Sequence, residues 1–196
     1  MQGLLNKAIK ALLLHNVGLR IHLEATSVAA GVLALRRGDI DVLVGPENAM
    51  KGRRPSPMKL GDLETSLFTR KTHPLVLKTN VHKEEIAEYP VIAADRLSWH
   101  TDRLRSLYEN TGGDSARRMH IMEYFPLVAD IVADSDAIGV IGAEYSTSKT
   151  FMSRFSLLNI DLFEPLPVGF SVRKRWLPSP AVRAFEAALR EFPPGA

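Results

Sequence analysis

A change of hydrophobic periodicity near the N-terminus limits the chain to a small set of folds. Apolar and polar side chains alternate over Leu19–Glu24, which predicts a strand with one exposed face. Residues 28–37 then follow a helical spacing, and Thr26 or Ser27 can cap that helix at its start. The apolar run Ile40–Val44 comes next and is typical of a strand buried on both faces. This order predicts a βαβ unit.

The same alternation of strands and helices continues to the C-terminus. It favours an α/β fold with mainly parallel sheets, and a further helix over residues 4–15 precedes the βαβ unit. Other strands are predicted at 65–70, 75–78, 91–94, 119–122, 138–141 and 168–173, and other helices at 83–89, 100–110, 125–133 and 180–192.

Two proline-containing joints divide this pattern into two lobes. One joint is His73-Pro74, and the other contains Pro165. If the chain crosses between lobes at both joints, the two ends of the chain together form one lobe and the middle forms the other. The sequence therefore predicts two crossovers, with His73 and Pro165 at the hinges. The predicted ranges are 1–73 plus 168–196 for lobe I and 74–167 for lobe II.

Composition excludes several classes of protein. The 196 residues contain no cysteine, which excludes disulfide scaffolds, cysteine-ligated metals and thiol nucleophiles. The 25 Lys and Arg against 22 Asp and Glu give a net charge of +3, too small a surplus to define a nucleic-acid-binding surface. No apolar run approaches the ~18 residues of a membrane-spanning helix, and His15 and Asn16 end the N-terminal run early. We therefore expect a cytoplasmic protein without a membrane segment.

Motifs for catalysis and for metal binding are missing from the sequence. There is no nucleophile elbow, phosphate-binding loop, dinucleotide fingerprint or zinc-protease motif. The adjacent Glu84 and Glu85 would point in different directions on a helix. Asp39 and Asp41 lack the further oxygen ligands that a hard cation needs. We therefore predict no catalytic residue, no metal ligand and no cofactor.

Small polar groups at the predicted carboxyl ends of strands are the candidates for ligand binding. In open α/β sheets, ligands bind in the crevice at these ends, often against helix N-termini. Each candidate could equally be an ordinary helix cap, but as a set they could face one cleft. The candidates are Thr26, Ser27, Gly45, Ser98, Thr101 and Tyr124.

The order of several short motifs resembles the effector-binding domain of LysR-type transcriptional regulators. The turn Arg36-Arg37-Gly38-Asp39 is similar to the basic-Gly-acidic turn that precedes a strand in that family. The HPL signature of the family appears as His73-Pro74-Leu75, and its P-x-I strand appears as Pro90-Val91-Ile92. Residues 127–141 and 179–192 are similar to a later helix–strand pair and to the closing helix. The resemblance covers nearly the whole chain.

This resemblance implies the fold of type 2 periplasmic binding proteins, with two α/β lobes and a cleft between them. It also implies a sensor, in which a small anionic metabolite or aromatic acid binds the cleft and changes the relative position of the lobes. The family forms antiparallel homodimers in which a helix of the first lobe meets a helix of the partner's second lobe. Carried onto this sequence, those helices contain the interface residues Val28, Val32, Leu33 and Val128.

The chain departs from the family pattern in three ways. It contains no DNA-binding domain, so we expect contact with DNA only through a domain that this chain lacks. The family's first strand, which lies inside the sheet of the first lobe, is also missing, and its loss should leave strand edges unpaired. Tyr124 stands where the family tends to have Ser or Thr, and Gly142 stands where it usually has Pro. The effector class is therefore not transferable from the family.

Three alternatives to a regulator stay open at this point. A stand-alone solute-binding protein of the same fold would need export. An enzyme on this fold, such as a dehydratase or deaminase, would need an acid and a base in the cleft. A truncated remnant would have no function of its own. We expect the sensor domain of a LysR-type regulator that binds a small anionic or aromatic metabolite and catalyses no reaction.

Overall fold

The computed structural model describes residues 2–94, 99–112, 115–174 and 179–193. Within these ranges, no helix is long and apolar enough to cross a lipid bilayer. The helices are α1 (Gln2–His15), α2 (Val28–Arg37), α3 (Glu47–Met50), α4 (Lys83–Ile86), α5 (Trp99–Asn110), α6 (Ser115–Arg118), α7 (Phe125–Ala133), α8 (Ala143–Ser146), α9 (Lys149–Arg154) and α10 (Pro180–Glu191), with a 3₁₀ helix at Pro74–Leu77. The strands are β1 (Val42–Pro46), β2 (Met58–Leu63), β3 (Thr65–Arg70), β4 (Val91–Ala93), β5 (Met119–Ile121), β6 (Ile138–Gly142), β7 (Phe155–Leu157) and β8 (Leu166–Val172).

The chain divides into two units, each with its own sheet. Unit 1 combines Met1–Leu63 with Pro165–Ala196, and unit 2 is the continuous segment Glu64–Glu164. The first crossing thus lies before β3, whereas the sequence placed it after this strand at His73-Pro74. The reason is that β3 pairs with β6 and β7 inside the sheet of unit 2.

Unit 1 is built on a three-stranded sheet in the order β1-β8-β2. Both pairs are antiparallel, and Phe170 of the central strand lies between Val44 on one side and Met58 on the other. The fully buried Phe170 packs with Leu12 of α1 and Leu189 of α10. The apolar faces of α1 and α10 therefore cover the same core, so the packing of unit 1 requires both of these helices.

Local sequence determines both ends of α2. Ser27 Oγ accepts a hydrogen bond from the Ala30 N–H at 3.3 Å, as an N-cap does. Gly38 ends the helix with φ of +91°, a conformation that favours glycine, and its N–H donates to Ala34 O at 2.9 Å. The predicted helix at 28–37 is confirmed, and its cap lies at Ser27 rather than at Thr26.

The strand predicted at Leu19–Glu24 is wrong. The segment contains no regular secondary structure, and the backbone of residues 20–26 makes no hydrogen bond to any described residue. Ile21 and Leu23 are 39% and 64% exposed. Alternation alone does not form a strand, because a strand needs a neighbour for its backbone groups, and β1 pairs only with β8 among the described strands.

Unit 2 has a five-stranded mixed sheet in the order β5-β4-β6-β3-β7. Its β4 is parallel to β5 and to β6, whereas β3 is antiparallel to β6 and to β7. The prediction of mainly parallel sheets therefore holds only for three strands. Strands β3 and β8 each begin where the chain enters a unit, and both run antiparallel to all their neighbours.

Two apolar clusters form the core of unit 2. In one cluster, the buried ring of Phe68 meets Phe151 and Phe155 edge to face, at centroid distances of 5.2 and 5.1 Å. In the other, Leu67 packs with Leu104 of α5. Neighbouring residues of β3 thus serve different clusters, as the period of two in a strand requires.

The strand predicted at 75–78 is also wrong, because the 3₁₀ helix takes its place. His73 caps this helix by accepting the Leu75 N–H at Nδ1, and Pro74 occupies its first position. A cap followed by proline fixes the chain in a helical turn. The apolar residues Leu75 and Val76 therefore pack into the core from a turn rather than from a strand.

Candidate functional site

In unit 1, the candidate residues gather where α2 begins against the end of β1. A methyl group added to Gly45 would lie 3.7 Å from Val28 Cγ2, and one added to Gly31 would lie 3.3 Å from Thr26 Cγ2. Thr26 and Ser27 are exposed at the N-terminus of α2. Gly45 is buried inside β1, whereas the sequence placed it after the strand. The structure therefore brings these three predicted residues to one end of the sheet.

In unit 2, two candidates lie at one edge of the sheet. Strands β4, β5 and β6 are parallel, so their carboxyl ends share an edge, and each is followed by a helix that starts there. Thr101 lies in the first turn of α5 and is fully buried. Tyr124 precedes α7 at its N-cap position, is 69% exposed, and makes no capping hydrogen bond through its side chain. Ser98 lies outside the described residues.

The chain also passes from one unit to the other at these two ends of the sheets, which we call the crossing ends. In unit 1, β8 begins opposite the carboxyl ends of β1 and β2, with Val168 opposite Pro46. In unit 2, β3 begins opposite the carboxyl end of β6, and the Ala143 N–H donates to Glu64 O at 2.9 Å. Strand direction alone therefore puts the candidate residues of each unit at its crossing end.

His100 is a polar residue of this region that the sequence analysis missed. It stands beside Thr101 in the first turn of α5, with its ring 4.3 Å from Trp99 and 5.0 Å from Phe163 between centroids. Its Nε2 is buried and makes no hydrogen bond. Burial lowers the pKa of His100 to about 4, so the imidazole is neutral at pH 7. A search for metal-ligand spacing does not detect such a residue, and its position next to the candidate Thr101 was the available signal.

The predicted hinge residues differ in their placement. Pro165 is exposed and opens the second segment of unit 1, so it lies at a crossing. His73 lies inside unit 2, because the first crossing falls between Leu63 and Glu64. Its side chain is fully buried there. The hinge prediction for His73 therefore has the wrong position in the fold.

The residues predicted for a dimer interface are mostly turned toward the core. Val32 and Val128 are buried in the clusters beneath α2 and α7, and Val28 is half-buried. Leu33 is 46% exposed on the outer face of α2, and Leu127 is 50% exposed on α7. Only Leu33 of the predicted set is therefore free to make a large apolar contact with another molecule.

Two surface depressions of unit 2, of about 490 and 360 Å³, lie away from the candidate residues. The larger lies among α4, α5 and α6, and the smaller is lined by Arg70, Thr72 and Asp136. In the described part of the chain, no group of three or more His, Asp and Glu side chains could hold a metal ion. The polar groups at the crossing ends therefore stay the candidate site.

Comparison with solved structures supports the same architecture. Reduced OxyR from N. meningitidis is 20% identical over 97% of this chain and 89% of that chain, with a TM-score of 0.72. The BenM effector-binding domain with its effector benzoate is 18% identical over 96% of this chain and 85% of that chain, with a TM-score of 0.69. A full-length BenM mutant, also 18% identical, matches 96% of this chain, which spans 62% of the longer protein, with a TM-score of 0.65. A search of curated proteins finds no match.

The sequence profile of one family covers almost the entire chain. The LysR substrate binding domain matches residues 1–193. The predicted α/β architecture of periplasmic-binding-protein type is confirmed by this match and by the related structures. This chain therefore belongs to the LysR substrate-binding domain family.

Proposed function

We propose that this domain senses a small anionic or aromatic metabolite in the cleft between its two lobes and catalyses no reaction. The observation that carries the proposal is that Thr26, Ser27, Thr101 and Tyr124 all stand at the crossing ends of their sheets. A ligand held at both ends would bias the arrangement of the lobes. DNA would be contacted by a separate domain of the regulator.

The chemistry of the candidate groups favours an anionic or aromatic ligand. The N-terminus of α2 carries a partial positive charge and backbone N–H groups, which suit a carboxylate or phosphate. In unit 2, His100, Trp99 and Phe163 bring three rings together beside Thr101. The related BenM domain has benzoate, an aromatic carboxylate, as its effector. These features support, for this chain, an effector that has both a charged and an apolar part.

Sensing requires a difference in affinity between two lobe arrangements. A ligand that binds both arrangements equally shifts nothing, however tightly it binds. Contacts made to both units at once supply that difference, because they form only when the two crossing ends are correctly placed. The proposal therefore needs residues of both units to contribute to affinity.

We test this proposal by thermal unfolding of the whole chain with benzoate, other aromatic and small carboxylates, and inorganic phosphate as probes. A ligand at about 100 times its Kd adds ~2.7 kcal/mol to the free energy of unfolding, which raises Tm by several degrees. Thr26→Val removes one hydroxyl at the candidate site and should weaken that rise. Thr150→Val, at an exposed position of α9, is the matched control and should leave it unchanged.

Two results would contradict the proposal. One is that no probe raises Tm although unfolding is cooperative. The other is that Thr26→Val and Thr150→Val change the ligand-induced rise equally, which would place the ligand elsewhere in the fold.

We further propose that the domain forms an antiparallel homodimer in which α2 of one subunit meets α7 of the other. The exposed side chains Leu33 and Leu127 support this arrangement, because each stands on the outer face of one of the two helices. Val32 and Val128 support these contacts from beneath rather than touching the partner.

A further inference from the structure

His73 is a fully buried histidine whose two ring nitrogens have different partners. Nδ1 accepts a hydrogen bond from the Leu75 N–H at 3.1 Å and thereby caps the 3₁₀ helix. Nε2 lies 3.2 Å from the backbone oxygen of Asp136, in the turn between α7 and β6. A ring nitrogen that accepts carries no proton, and a carbonyl oxygen can only accept. The neutral ring therefore carries its proton on Nε2, and this N–H donates a hydrogen bond to the backbone oxygen of Asp136.

The charged and titratable groups around this ring come from three elements. Arg70, at the end of β3, pairs with the Asp136 carboxylate at 2.7 Å between Nη2 and Oδ1. The Tyr89 ring, after α4, lies 4.5 Å from the imidazole between centroids. Burial lowers the pKa of His73 and Arg70 lowers it further, while the hydrogen bond to Asp136 and its negative charge oppose them. The net direction is downward, so the folded protein holds the neutral ring at pH 7.

We propose that His73 is a proton-operated cap that holds the start of the 3₁₀ helix closed while neutral and releases it when a proton binds to Nδ1. The proton comes from solvent and occupies the lone pair that accepts the Leu75 N–H. Nε2–H keeps its bond to Asp136, because it is a donor in both states. Protonation thus breaks the hydrogen bond between the Leu75 N–H and Nδ1 and keeps the hydrogen bond between Nε2 and the Asp136 backbone oxygen.

The release would reach the core of unit 2 through Leu75. The side chain of Leu75 is 1% exposed and packs in the same cluster as Ile86 and Leu104. A backbone donor left without an acceptor beside a buried side chain favours local opening of the turn. Acid conditions therefore loosen the β3–3₁₀ turn while the α7–β6 turn stays attached to the ring.

NMR on the full chain over pH 4–8 tests this device. At neutral pH, the imidazole nitrogen signals should report the Nε2–H tautomer. As His73 takes up a proton below its ordinary range, hydrogen exchange at the Leu75 amide, corrected for its intrinsic pH dependence, should rise by roughly tenfold or more. An Nδ1–H tautomer at neutral pH, or protonation of His73 without faster exchange at Leu75, would overturn the proposal.

Three variants separate a proton-operated cap from a passive structural role. His73→Asn keeps a side-chain acceptor for the Leu75 N–H but cannot titrate, so exchange at Leu75 should no longer change with pH. Asp136→Asn should move the His73 midpoint to lower pH, and Arg70→Gln should move it to higher pH. Midpoints that do not move in opposite directions would contradict the assigned electrostatics. The wild-type titration decides the question by itself if His73→Asn does not fold.

Discussion

Gly139 on β6 illustrates how a single missing side chain determines packing at the residue scale. A methyl group added here would lie 2.2 Å from Cε1 of the buried Phe68 ring, and that ring is held by Phe151 and Phe155. The ring has little room to move, because interiors are close-packed. The absence of a Cβ at Gly139 is therefore what lets β6 and the aromatic cluster approach each other.

We predict that Gly139→Ala lowers the free energy of unfolding by about 1–3 kcal/mol, the usual cost of overpacking a core. Gly142→Ala on the same strand is the matched control, since its nearest neighbour would be Glu64 O at 3.9 Å and its φ is −74°. Chemical denaturation of both variants measures the difference. Equal stabilities would show that the Phe68 ring relaxes without cost.

The structural role of a candidate residue could be predicted from the sequence only where a local motif marked it. Ser27 is predictable because an N-cap is written in adjacent residues. His100 is not, since its importance comes from burial and from Phe163, a residue far along the chain. His73 was predicted as a hinge because it precedes Pro74 at a joint of the pattern, but its position relative to the crossing depends on which sheet β3 joins.

At the scale of elements, the helices and strands that were predicted correctly are those whose start and end depend on residues close by in the sequence. Helices α2 and α10 carry their own caps at Ser27 and Ser179, and both were predicted within a residue or so of their observed ends. The segment at 19–24 has the alternation of a strand but pairs with none of the described strands, and sequence periodicity says nothing about pairing partners. Strand β2 is absent from the predicted strands, because glycine and proline surround it and its pairing with β8 is distant in sequence.

The proposed dimer makes an element-scale prediction on α2. Leu33→Asp places a charge on the exposed face of the helix and should convert the dimer to a monomer, because an unpaired charge in an apolar interface is costly. Leu77→Asp, at a position 79% exposed on the 3₁₀ helix, is the control and should leave the dimer intact. Sedimentation velocity distinguishes the two. A dimer that survives Leu33→Asp would remove α2 from the interface.

At the scale of the whole molecule, the two units differ in how the chain supplies them. Unit 2 is one continuous segment with five strands and two apolar clusters of its own. Unit 1 needs both ends of the chain, because its central strand β8 comes from the C-terminal segment. The sequence predicted two lobes from its proline joints, but the register of the strands decides the crossing points.

We therefore predict that residues 64–164 fold without the rest of the chain. All strands of this sheet lie within the segment, so its backbone pairing stays complete. A cooperative thermal transition by circular dichroism and dispersed amide signals by NMR would be the expected results. The isolated segment should not respond to a ligand that stabilises the whole chain, because it lacks the unit 1 groups at Thr26 and Ser27. A non-cooperative transition would contradict the prediction.

The position of β8 also has a consequence for the order of events on the ribosome. Residues 64–164 emerge from the ribosome before the central strand of unit 1, so unit 2 can begin to fold while β1 and β2 still lack the strand that lies between them. Until that strand emerges, both carry exposed edges of the kind that recruit other chains. A nascent chain that has released residues 64–164 but not β8 therefore combines a unit 2 that can fold with unpaired strand edges in unit 1, and we expect chaperones to bind it at this stage.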